Sequence, residues 1–111
     1  APHSVEEKSK GLPGSAFGIV GIETAFQVMY TYLVKPGIIT LERLIELLAD
    51  NPRKRFNIPL GTDFTVWKLD EEVTIDPNEF LSMGKATPFE GWPYEGDIVF
   101  TMARGEIAYQ K

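Results

Sequence analysis

The hydrophobic period changes once along this chain, and that change constrains its fold more than any other feature. Up to Arg55 apolar residues recur at helical spacing; after Gly61 they do not. Ile22, Ala25, Phe26, Met29, Tyr30 and Leu33 fall at i, i+3, i+4, i+7, i+8 and i+11, one face of a helix that Pro36-Gly37 ends. A second helix is predicted after Thr40, an N-cap, with Glu42 near the positive end of the dipole and Leu41, Leu44, Ile45, Leu47 and Leu48 along it. It stops around Asp50-Asn51. Pro52 suits the first position of a further short helical turn, with Phe56 facing inward.

Past Gly61 the residues favour strands. Phe64-Thr65-Val66-Trp67-Lys68-Leu69 is aromatic and β-branched, and Val73-Thr74-Ile75 is a shorter run of the same kind. Asp70-Glu71-Glu72 between them reads as a turn of exposed acids. Ile98-Val99-Phe100-Thr101 and Ile107-Ala108-Tyr109 flank Arg104-Gly105, where a glycine takes the positive φ that a tight hairpin requires. Residues 1–21 and 76–96 are rich in Gly and Pro and lack a period, so they read as loops. Helices first and strands second imply two unlike pieces joined near residues 57–62.

Composition removes several function classes. At 111 residues the chain is one domain's worth and short for a barrel enzyme with a secluded site. It is 43% hydrophobic and 24% charged, with no apolar run near the roughly 18 residues of a membrane helix. Its 16 acids against 11 bases give a net charge of -5, and Arg53-Lys54-Arg55 is the one clustered basic run. Nucleic acid and membrane are therefore poor partners. Without cysteine, disulfides, thiolate metal sites and cysteine nucleophiles are excluded. The opening Ala1-Pro2-His3 has no initiator Met or leader character and is expected to be the middle of a motif.

Local chemistry is sparse. His3 is the single histidine, whereas catalytic zinc usually takes three protein ligands. It reads as an ordinary exposed imidazole, in a setting that permits a ligand-binding role. Glu6 and Glu7 are adjacent and point apart on any regular element, so they make no acid/base pair. Gly18 and Gly21, just ahead of the first helix, bring backbone N–H groups towards an anion or serve simply as turn glycines. Trp67 and Trp92, with Phe89 and Tyr94, either line a pocket or pack the core.

Taken in order, several stretches resemble one family. Ala1-Pro2-His3, Glu6-Glu7-Lys8 and Ala16-Phe17-Gly18-Ile19-Val20-Gly21-Ile22-Glu23-Thr24-Ala25-Phe26 are similar to the segment that follows the Asp-His of Asp-His-Ala-Pro-His in type I dihydroorotases. Gly37-Ile38-Ile39-Thr40-Leu41, Asn51-Pro52, Phe80-Leu81-Ser82-Met83-Gly84-Lys85 and Thr87-Pro88-Phe89-Glu90-Gly91 continue the match. The resemblance implies an α/β fold: residues 1–56 as the last loop and helices of a (β/α)8 metal-dependent hydrolase barrel, and 57–111 as strands of a small composite β-sandwich. It implies a cytoplasmic zinc hydrolase of pyrimidine biosynthesis that interconverts N-carbamoyl-L-aspartate and dihydroorotate through a zinc-activated water.

Residue by residue, the family's substrate-holding histidine falls on His3, and its substrate-contact loop falls on Phe17 and Gly18. The catalytic aspartate would lie two residues before Ala1, and the metal ligands elsewhere in the parent, so the chain alone is expected to be inactive and to hold no zinc. The implied partners are the small-molecule substrate, the rest of a dihydroorotase chain, and a second copy or aspartate transcarbamoylase. Rival readings are another cyclic amidase of the superfamily and a noncatalytic dihydroorotase-like subunit. One departure is internal: after Gly61 the family has a further turn and strand before the segment matching Phe64-Thr65-Val66, whereas here Thr62-Asp63 follows at once.

Overall fold

The computed structural model describes Ser4, Glu6, Gly11–Gly14 and residues 18–111. The chain divides into two compact units, Ala1–Ala25 with Thr74–Pro93, and Phe26–Val73 with Tyr94–Lys111. We call them unit 1 and unit 2.

Within the stretch expected to be loop, Gly11–Gly14 forms a single helical turn, α1. The first long helix begins later than its apolar pattern suggests. Residues 22–24 form a turn, and α2 runs Ala25–Met29 before continuing as a π-helical stretch, Tyr30–Val34. Lys35 N–H donates to the Tyr30 carbonyl at 3.0 Å, the wider i to i+5 bond that defines this form. Ile22 thus precedes the helix and is 96% exposed, which corrects its place on the helical face. Pro36-Gly37 ends the helix as expected. Gly37 takes φ 83° while its N–H and that of Ile38 reach back to Val34 and Leu33, each at 2.9 Å.

Thr40 caps α3, Leu41–Ile45, its side chain accepting from Arg43 N–H at 3.1 Å. The helix does not stop at Asp50-Asn51 as expected: both residues keep right-handed helical angles, and a second π stretch, Glu46–Asp50, runs on into α4, Asn51–Arg55, with Pro52 in its first turn, where its missing N–H does not interrupt the chain. Asn57, at φ 53°, closes α4, and Ile58 N–H donates to the Arg53 carbonyl at 2.9 Å. Leu44 is fully buried, whereas Phe56 is 69% exposed beneath the Arg55 guanidinium and does not face inward.

The strands form one sheet in the order β1-β2-β3, with β1 at Phe64–Thr74, β2 at Pro93–Ala103 and β3 at Glu106–Gln110. The expected turn at Asp70-Glu71-Glu72 is absent. The three acids are exposed within a continuous β1, an edge strand where outward charges keep other chains from pairing. β2 also begins earlier than expected, inside the stretch read as loop, because Pro93 sits at the first strand residue, where no ladder N–H is needed. Thr65 and Thr101 share a hydroxyl hydrogen bond while Gly96 lies beside Lys68 and Leu69, so β1 and β2 run antiparallel. β2 and β3 pair antiparallel, Phe100 with Gln110 and Ala103 with Glu106, with an irregularity between Thr101 and Met102. At their turn Arg104 and Gly105 take φ 53° and 77°, the two positive values of the tight hairpin expected there. Asp63 accepts from Arg104 N–H at 2.9 Å and pins that turn.

In unit 2, Phe26 stacks on Trp67 with centroids 4.4 Å apart, and Thr31 Oγ1 both donates to the Glu95 carbonyl and accepts from Glu95 N–H. Lys35 pairs with Glu95 and Lys111 with the buried Asp97. In unit 1, Ile75 is buried and exchanges main-chain hydrogen bonds with Gly91 and Trp92, while Phe89 meets Trp92 edge-on at 5.2 Å. Both tryptophans therefore pack against other rings.

Candidate substrate-binding hollow

Unit 1 brings together two stretches far apart in sequence, residues 18–24 and 80–86. Glu23 lies just ahead of α2, where the turn of residues 22–24 leaves its side chain off the helix. Its carboxylate accepts from Leu81 N–H at 3.1 Å and Ser82 N–H at 2.8 Å, one bond to each oxygen. Val20 N–H donates to the Ala86 carbonyl at 2.9 Å. The second stretch is also tied to itself: Lys85 Nζ donates to the Phe80 carbonyl at 2.7 Å, and Gly84 N–H to Ser82 Oγ at 3.2 Å. Those internal bonds curl the loop so that two successive N–H groups face one carboxylate.

Between the two stretches is a hollow of about 360 Å³, lined by residues 19–24 with Phe80 and Ser82. Its exposed wall is apolar, Ile19 and Ile22 being 62% and 96% exposed. Glu23 is the carboxylate of the lining, and both its oxygens are engaged by main-chain donors. It therefore fastens the two stretches to each other across the hollow. Sequence reasoning missed this role. An acid immediately ahead of a helix start was a faint signal, but its partners lie 58 and 59 residues away.

Of the expected substrate contacts, Gly18 is exposed at φ 103°, and a Cβ placed there would meet nothing within 4 Å. Its glycine is thus required by the backbone conformation and not by crowding. His3 and Phe17 lie outside the described residues. Among the described residues no three His, Cys, Asp or Glu side chains come together to hold a metal ion, so they do not fit the zinc of the family resemblance. No helix among them is long and apolar enough to cross a membrane.

No family model matches the chain. Among curated proteins, the dihydroorotase of Bacillus thuringiensis (strain Al Hakam) is 48% identical over 118 residues, taking in 100% of this chain and 28% of that protein. The dihydroorotase of Bacillus cereus (strain AH187) matches to the same extent. Among solved structures, an L-hydantoinase (dihydropyrimidinase) from Arthrobacter aurescens superposes with a TM-score of 0.84 and 33% identity, over 96% of this chain and 26% of that one. By fold and sequence the chain is part of an amidohydrolase-superfamily protein. More particularly, it belongs to the dihydroorotase family, as a piece matching a C-terminal part and spanning 28% of the length of the curated relatives. The alignment runs over 118 residues against 111 here, a difference of seven.

Proposed function

We propose that the chain is the C-terminal part of a cytoplasmic zinc-dependent dihydroorotase of pyrimidine biosynthesis, and that its hollow lies on the substrate-binding side of that enzyme. The observation that carries this reading is the juxtaposition in unit 1. Two of the stretches that resemble the family, 18–24 and 80–85, are fastened to each other around a hollow, in a chain 48% identical along its whole length to dihydroorotases. In this reading residues 1–56 end the hydrolase barrel and 57–111 belong to the composite β-sandwich. In the hydrolytic direction water adds to the ring amide carbonyl, the C–N bond breaks and the nitrogen takes the proton, giving N-carbamoyl-L-aspartate. His3, Phe17 and Gly18 hold the substrate, His3 by donating to a carboxylate. The zinc ligands belong to the rest of the parent chain, and a second copy or aspartate transcarbamoylase is its partner.

The test is turnover by the full-length protein that carries this segment. Dihydroorotate is expected to be opened far faster than an unsubstituted hydantoin ring. His3→Ala should raise KM about tenfold or more with zinc retained, the effect of one charge-assisted hydrogen bond. Zinc loss with unchanged KM would make His3 a metal ligand and overturn its assignment. The likeness to L-hydantoinase favours a second reading, another cyclic amidase of the superfamily. Preference for the hydantoin ring would select it.

A further inference from the structure

We propose that Glu23 is a positioning residue for substrate binding: through Leu81 and Ser82 N–H it sets the width of the hollow between residues 18–24 and 80–86. This inference rests on the function proposed above. The hollow has two sides, and Ile19 and Ile22 on one of them are 62% and 96% exposed, so these two residues contribute little apolar packing across it. The ties between them include the two bonds to Glu23 and the Val20 to Ala86 main-chain bond. Val20 sits two residues from Gly18, whose positive φ fixes the direction in which that backbone emerges. A carboxylate suits the fastening task because it offers two acceptor oxygens and no donor, so it takes two N–H groups without opposing either. An amide of the same shape offers one acceptor and turns a donor against the second N–H. Both carboxylate bonds are charge-assisted and are directed by the loop's own internal bonds, which keeps the gap at one value.

The experiment uses the full-length enzyme with Glu23→Gln and Glu23→Asp. Glu23→Gln is expected to raise KM for dihydroorotate about tenfold, the loss of one charge-assisted bond, with kcat changed less than twofold. Glu23→Asp keeps both acceptors on a shorter arm and is expected to recover part of that loss. Hydrogen exchange at the Leu81 and Ser82 amides should accelerate in the Gln variant and be partly restored in the Asp variant. Faster exchange with unchanged KM would reduce Glu23 to a structural fastener and overturn the proposal. So would equal loss of kcat and kcat/KM, which marks an interaction made only in the transition state. Unchanged exchange would overturn the clamp itself. A wild-type enzyme that does not turn over dihydroorotate would instead overturn the function on which the proposal rests.

Discussion

Around the hollow of unit 1 the two stretches are joined by hydrogen bonds, Glu23 accepting from Leu81 and Ser82 N–H and Val20 N–H donating to the Ala86 carbonyl, with Lys85 tying the second stretch to itself. In unit 2 such bonds, Thr31 with Glu95 and Asp63 with Arg104, are joined by a stacked pair of rings, Phe26 on Trp67, a fully buried Leu44 and strand pairing. The two kinds of cohesion do different things. A hydrogen bond contributes about 1 kcal/mol net but fixes a distance closely, whereas a buried ring contributes more and tolerates small shifts. Changes in unit 1 should therefore show first as altered binding, and changes in unit 2 as altered stability.

The largest expected effect is on the isolated 111-residue chain, where neither kind of cohesion suffices. Among the described residues the buried apolar core is Leu44 and Ile75, while Leu60, Leu81, Phe56 and Phe64 are more than half exposed. A cleft of about 690 Å³ in unit 2 is lined by Ile45, Leu48 and Phe64, and apolar surface of this kind favours association. Expressed alone, the chain should be aggregated, oligomeric or molten, with no dihydroorotase turnover and no stoichiometric zinc after dialysis against a weak chelator. A sharp melt from a monodisperse monomer would break the expectation.

Next in size is Phe26→Ala in the full-length protein. Phe26 is half-buried, so its removal should cost about 2 kcal/mol, roughly half the loss for a fully buried ring. KM should stay put. A KM shift as large as that of Glu23→Gln would dissolve the contrast between the units. Thr40→Ala should cost about 1 kcal/mol by removing the acceptor for Arg43 N–H, read as a shifted denaturation midpoint at constant slope.

The smallest effect is electrostatic. Lys35 has its pKa raised above the ordinary 10.5, chiefly by its hydrogen bond to Glu95, with desolvation opposing. A raised folded-state pKa gives stability that is fully present below the unfolded value and is lost as pH rises through the folded one. The melting difference between wild type and Lys35→Met should thus be constant from neutral pH up to about pH 10 and shrink above it. A difference that grew in alkali would contradict the pairing. Solvent screening keeps it small.

What was legible in the sequence divides by the reach of each interaction. Thr40, Gly37, Pro52 and Arg104-Gly105 act through bonds to near neighbours, and each does in the structure what its residue type suggests. The acids at 70–72 misled because a run of charge signals a turn only when strand position is unknown; on the edge of a sheet it is compatible with strand. Met29 and Phe56 fit a helical face by spacing, yet are 37% and 69% exposed. Period identifies a face but not what covers it. Gly18 was named through resemblance and precedes the hollow's lining, which begins at Ile19, whereas the Glu23 bonds join residues nearly 60 apart and have no local period to reveal them.

The pinned hairpin has a consequence for the order in which the sheet assembles. Thr101 meets Tyr109 across eight residues, while Thr65 meets Thr101 across 36. Closing the longer loop costs about 1.3 kcal/mol more in chain entropy. The hairpin of β2 and β3 is thus the cheaper first step, and β1 docks on an edge already formed. Asp63, two residues before Thr65, reaches the hairpin turn at Arg104 and gives β1 its register on arrival. Gly105→Ala in the full-length protein should then slow folding, and Phe64→Ala should mainly speed unfolding.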